Sequence, residues 1–274
     1  MNRNPPLHVI EELRKEVGFI CPVNGCNSPY LTWHHFDPPW NIVNHHNLDG
    51  MIALCIKHHK QADNGAFLNE QLIEMKNINK HNVRILEGKF EWLRNELLIV
   101  IGGNIFINSK IAIQHKSEKV IWFTRDHNNN ILLNIHMLTD DKVLKTEMIE
   151  NVWYEYGNAK DIICPPSGKS LFIEYSDGDR IGLEYKVIKD SKSLLGKYEI
   201  EFDFSTFAFP ITAVEISLVQ KEYGINISPK YLEIGKGNHF NHCVIQNREI
   251  AILLNDEDGS IKNSANIIMN REKT

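Results

Sequence analysis

The 274-residue chain has no long hydrophobic run: its most apolar stretch, Leu97–Ile101, is five residues long, against the roughly 20 needed for a membrane-spanning helix. A helical membrane span is therefore excluded. A signal sequence is missing as well, because Met1-Asn2-Arg3-Asn4-Pro5-Pro6 offers neither an apolar core nor a small-residue cleavage site. The compartment this predicts is the cytoplasm. Excess charge is also absent: 30 Lys+Arg stand against 35 Asp+Glu, for a formal net charge of -5. Bulk attraction to DNA or to an anionic membrane is thus ruled out, and any nucleic-acid contact has to be local. Low-complexity tracts and internal repeats are lacking too. A hydrophobic fraction of 42% with 24% charged residues excludes wholesale disorder and predicts a soluble, packed fold.

Cysteine is scarce, with five in all, but its placement is uneven. Cys21, Cys26 and Cys55 lie near the N-terminus, while Cys164 and Cys243 stand alone downstream. Eight of the thirteen histidines (His8, His34, His35, His45, His46, His58, His59, His81) precede residue 82. In a reducing compartment such clustering points to a metal before a disulfide.

Helical spacing of Ile10, Leu13 and Val17 behind Pro5-Pro6 predicts a helix from Leu7 that ends at Gly18. The proline-punctuated segment from Phe19 to Trp40 reads as a knuckle, a short strand at Tyr30–Trp33 and a loop. Met51–Cys55 reads as a second strand leading into a histidine-rich helix, and Asn69 as the cap of a further helix. Phe90, Leu93, Leu97 and Leu98 repeat at helical spacing and predict another. Beyond Ile99 the texture becomes β-rich. Strands are expected at 104–107, 120–123, 131–135, 171–175, 182–187 and 200–204, with turns at Gly102-Gly103, Asn128–Asn130, Pro165–Gly168 and Asp177-Gly178.

Cys21-x4-Cys26 is a knuckle whose Asn24-Gly25 permits a tight turn, and Cys55-x2-His58 supplies the second pair of a tetrahedral zinc site. Four protein ligands leave no open position, so the expected Zn2+ is structural. Three histidines remain: His34-His35 after the first strand, and His59 one residue past the last ligand. Pairing of the two strands would bring them together.

These motifs, Cys21-x4-Cys26, Leu31-Thr32-Trp33-His34-His35-Phe36-Asp37-Pro38 and Ala53-Leu54-Cys55-x2-His58-His59-x2-Ala62-Asp63, resemble the zinc-stapled branch of the HNH endonucleases over roughly residues 5–80. The resemblance implies a ββα-metal finger and assigns roles by position. His34 and His59 would be ligands of a catalytic divalent cation, Mg2+ or Mn2+, and His35 the general base. Cys21, Cys26, Cys55 and His58 would form the structural zinc site. Such a cation neutralises charge developing on phosphate oxygens while a neutral imidazole takes a proton from water. One position departs from the family pattern. Gly50 stands where an asparagine is usual, with His45, His46, Asn47 and Asp49 nearby as alternative donors.

The fold expected is α+β: a nuclease domain over residues 1–98, and a β-rich sandwich, barrel or solenoid over residues 99–274 that recognises a substrate or ligand, or joins a homo-oligomer or a partner protein. The function expected is hydrolysis of DNA phosphodiester bonds, with RNA left open, and by analogy a part in defence against foreign DNA. The alternative is a zinc-stabilised, non-catalytic module that binds nucleic acid or protein. Gly50 and the near balance of ten Lys+Arg against eleven Asp+Glu in residues 1–100 favour it. Lys57, Lys60 and Lys76 read as positions on a solvated helix face.

Overall fold

In a computed structural model, residues 2–77, 85–139, 145–235, 238–254, 256–257 and 260–261 are described; His81 lies outside them. The protein is a mixed α+β chain in which strand dominates. Among the described residues no helix is long and apolar enough to cross a membrane. Two compact units emerge: Met1–Gly88 with Tyr154–Tyr175, and Lys89–Trp153 with Ser176–Thr274. The first unit thus includes a segment far beyond the 98/99 boundary read from the sequence.

In the first unit, helix α1 (Leu7–Glu16) starts on Pro6, whose carbonyl accepts from Val9 N and Ile10 N. It ends at Glu16, and the chain leaves it through Gly18 and Phe19, both at φ +64°. Strand β1 (Leu31–His35) pairs antiparallel with β2 (Met51–Cys55) in the register Leu31↔Cys55 to His35↔Met51. Every residue of β2 is buried, as its unbroken apolar sequence requires. Helix α2 (Ile56–Asp63) follows directly, and then α3 (Asn69–Asn77). Val9, Leu13 and Val17 from the α1 region, Ile52 and Leu54 of β2, and Leu72 of α3 share one core. A hairpin of strands Ala159–Ile163 and Ser170–Tyr175 belongs to the same unit. Arg14 of α1 makes a bidentate pair with Asp161 of this hairpin, at 2.9 Å from Nε and 2.6 Å from Nη2.

Among its described residues the second unit contributes strands to two large sheets and holds a two-stranded ribbon, Asp256–Glu257 with Ser260–Ile261. In one, strands Ile111–His115, Glu118–Arg125, Ile131–His136 and Thr146–Ile149 run antiparallel in succession, and Ile250–Leu254 pairs parallel with the first of them. In the other, Arg180–Ile188 and Ile211–Gln220 pair along their length, extended by Ile225–Ile227, Leu232–Ile234 and Asn238–Phe240. Strand Leu98–Ile101 pairs parallel with Ile211–Gln220 and turns at Gly102-Gly103 into Asn104–Ile107. Both glycines have positive φ, +59° and +73°, the requirement of a type I′ hairpin turn.

Three sequence expectations fail. The helix expected around Phe90–Leu98 is absent; those residues lead instead into the strand Leu98–Ile101, whose Ile99-Val100-Ile101 run favours extended backbone. The strand expected at 200–204 is irregular, since Asp203 accepts from Ser205 N and Ser205 Oγ and turns the chain. Its Ile200 and Phe204 still bury, against helix α4 (Ser191–Tyr198). Lys76 is not on a solvated face: it is buried, donating to Leu48 O and pairing with Glu16 at 3.3 Å.

Candidate metal centre

Cys21 and Cys26 sit on either side of a turn closed by Cys26 N donating to Val23 O, with Gly25 at φ +75°. Cys55 caps the N-terminus of α2, and His58 lies one turn further along it. The four side chains converge, each offering one ligand atom, all within 4.8 Å of one another. Two thiolates bound about 2.3 Å from one tetrahedral ion stand about 3.8 Å apart, and a thiolate and an imidazole about 3.6 Å apart. Cys26 Sγ and Cys55 Sγ are 3.7 Å apart, while His58 Nδ1 lies 3.2 Å from Cys21 Sγ and 3.3 Å from Cys55 Sγ. Burial, with Cys55 and Cys26 adding repulsion, pushes the Cys21 thiol up to about 12. A bound cation would compensate the charge of three thiolates held this close together, and burial followed by the charge of Lys57 lowers His58 toward its neutral, ligating form. This set can hold a metal ion.

A second group draws on the same helix and on β1. His34 of β1, His59 and Asp63 form a cluster able to hold an ion. Asp63 Oδ1 is 3.2 Å from His34 Nδ1 and 3.7 Å from His59 Nε2, and the two imidazoles meet edge to face with centroids 5.1 Å apart. The tautomer of His59 follows from its neighbours. The Thr32 hydroxyl donates its one proton to Leu54 O at 2.9 Å. His59 Nδ1, 2.8 Å from Thr32 Oγ1, must therefore be the donor in that contact. The neutral ring then presents a bare Nε2 lone pair toward Asp63, an arrangement of two acceptors that a cation resolves. Burial lowers His59, against the opposing charge of Asp63. Burial and then the charge of His59 lower His34.

His35, the next residue of β1, is not brought to this cluster. Its ring packs with Trp40, His45 and His46, at centroid distances of 4.8, 5.3 and 5.9 Å, as the alternation of strand side chains dictates. Burial, then His45 and His46, lower it to about 4, so it is neutral at physiological pH. Both of its ring nitrogens are buried with no hydrogen-bond partner, as is His46 Nδ1. His45 is structural: its Nε2 donates to Pro38 O at 2.8 Å, and its Nδ1 accepts from Asn47 N at 3.0 Å. Gly50 has a steric cause, since a Cβ there would lie 1.7 Å from Asp37 O. No side chain fits at this position without moving the backbone of Asp37.

Of the residues singled out in the sequence, Cys21, Cys26, Cys55 and His58 meet, and His34 meets His59. Sequence reasoning missed Asp63, although its i,i+4 spacing from His59 put both on one face of α2. Compared with models of protein families, with curated proteins and with solved structures, the chain matches none.

Proposed function

We propose that this chain is a metal-dependent endonuclease of the HNH type, hydrolysing DNA phosphodiester bonds. The observation that carries the reading is that consecutive residues of α2 serve two different metal-ligand clusters, His58 a closed one and His59 an open one. Cys21, Cys26, Cys55 and His58 leave no vacant position on a tetrahedral ion, which suits structural Zn2+. His34, His59 and Asp63 are three donors of imidazole and carboxylate type, which leave room for a phosphate oxygen. A divalent cation there, Mg2+ or Mn2+, would offset negative charge developing on the phosphate.

The chain's own groups have distinct tasks. Thr32 holds His59 with Nε2 free for the ion, and Asp63 supplies the negative charge that keeps a cation in place. His35 is assigned the proton acceptor: it is neutral, and both ring nitrogens lack partners. In that role His35 would have to become accessible to the water attacking phosphorus and take its proton as the bond to the leaving oxygen breaks. Three thiolate ligands require a reducing compartment, in keeping with the cytoplasm.

The test is cleavage of supercoiled plasmid in Mg2+ or Mn2+ by wild type, His59→Ala and His35→Ala, with zinc content and melting followed in parallel. Nicking or linearisation by wild type that both substitutions abolish is expected. Cleavage that survives His35→Ala removes His35 as base. A second reading, a zinc-stabilised binding module without catalysis, draws on the packing of His35 away from the His34–His59–Asp63 cluster. It is the one to accept if wild type with its zinc bound cleaves no nucleic acid, RNA included.

A further inference from the structure

A pocket of about 640 Å³ opens within the first unit beside the second cluster and shares Thr32 and His59 with it. That volume lies in the range of small-ligand sites, roughly 300–1,000 Å³. Leu7 and Ile10 of α1, Trp33 of β1, and Ile163 and Pro165 supply its apolar lining, and Arg3, Glu11, Arg14 and Asp161 its charged lining. Leu7 is 84% exposed and Ile163 40%, apolar surface that the fold leaves uncovered. Arg14 is fixed by Asp161 at 2.6 Å. Arg3 is exposed, has no ion-pair partner among the described residues, and is close enough that its charge acts on His34, His35 and His59.

An apolar lining with an aromatic ring, next to Arg3 and a metal-ligand cluster, suits a planar base joined to an anionic phosphate. We propose that this pocket takes an unpaired nucleobase of the substrate strand, with Arg3 on its backbone phosphate, so that the preferred substrate is single-stranded or locally opened nucleic acid. This rests on the nuclease reading above. A base inside a duplex is stacked and paired and reaches such a pocket only by extrusion, whereas a single strand enters directly. The other readily named occupant, an apolar peptide, leaves Arg3 and the shared His59 without a role.

The experiment uses the full chain. A fluorescent DNA 12-mer, single-stranded or as its duplex, and the matching RNA are titrated against a His34→Ala background, and cleavage is followed on the wild-type background. The single strand is expected to bind at least tenfold tighter than the duplex. Ile163→Trp, which fills the pocket, and Trp33→Ala are each expected to weaken single-strand binding by about 5- to 100-fold. Leu7→Asp, at an exposed position with no packing to lose, is expected to act in the same direction. Arg3→Gln is expected to lower the slope of log affinity against log salt by about one. The RNA arm reports whether the sugar is read. Equal binding of single strand and duplex, or unchanged affinity in folded Ile163→Trp and Leu7→Asp, overturns the pocket even where wild type cleaves. Loss of single-strand binding in these variants, with no cleavage by wild type, keeps the pocket and discards the nuclease.

Discussion

Cys26→Ser isolates the metal from the packing. Cys26 is half-buried at the edge of its cluster, and serine differs from it by one atom, so the substitution costs little in lost contacts. What it removes is a thiolate 3.7 Å from Cys55 Sγ, one of four donors. An ion present at 100 to 1,000 times its dissociation constant stabilises the folded state by about 2.7 to 4.1 kcal/mol. At about 4 °C per kcal/mol for a unit of this size, the melting transition of the first unit should fall by roughly 11–16 °C. Zinc per chain, measured by elemental analysis after dialysis, should fall from one equivalent toward zero. Cys164→Ser is the control. Cys164 is also buried, with its thiol pushed up to about 12 by burial, but it lies outside the cluster, so that variant should keep its zinc whatever it loses in stability. The reasoning fails if Cys26→Ser retains a full equivalent of zinc and melts within about 2 °C of wild type.

Three further outcomes follow from local geometry. Thr32→Val removes the hydroxyl that fixes the His59 tautomer and should weaken Mn2+ binding by about 10- to 100-fold; isothermal titration that gives wild-type affinity would refute the tautomer argument. Asp161→Ala strands the buried Arg14 guanidinium and should cost about 3–5 kcal/mol in urea denaturation, largely restored by Arg14→Met with Asp161→Leu; a loss under about 1 kcal/mol would mean that water screens the pair. Burial works against the charge of Glu215, but hydrogen bonds from Lys186, Lys197 and Tyr198 outweigh it and hold Glu215 below the usual glutamate range. A depressed folded value contributes stability that is present above the unfolded pKa near 4.3 and is lost as pH falls through the folded one. Glu215→Gln should flatten that acid limb of the stability curve, and an unchanged limb would contradict the assignment.

The elements around the clusters were legible because chemistry and local propensity agree there. A knuckle closed by Gly25, an all-apolar β2 and a cysteine at the start of a histidine-bearing helix each leave few alternatives. Spacing alone was less reliable elsewhere. Phe90 and Leu97 bury as a helix face would, yet no helix forms, and the β-branched run after them carries the chain into a sheet. Ile200-Glu201-Phe202-Asp203-Phe204 alternates like a strand, but the local bonding of Asp203 breaks the extension. At the site, the near neighbours His34 and His35 were legible as a pair, whereas their separation onto different surroundings depended on the register with β2 and on the loop that His45 pins to Pro38. The role of Gly50 needed a contact thirteen residues away, with Asp37 O. Asp63 was readable and overlooked.

The pairing of Arg14 with Asp161 also bears on how the chain is made. Synthesis delivers α1, β1, β2 and α2 early, but the counter-ion of the buried arginine comes 147 positions after it, and residues 89–153 of the second unit emerge in between. The first unit in its complete form therefore requires a hairpin synthesised well after its helices. A fragment ending at residue 98 would carry every metal ligand named here and still expose an unpaired guanidinium, so a shortened gene product should be a poor substitute for the whole chain. The early-made part of the first unit, with its metal ligands, is joined by a late-made segment, which ties the maturation of that unit to translation well into the second.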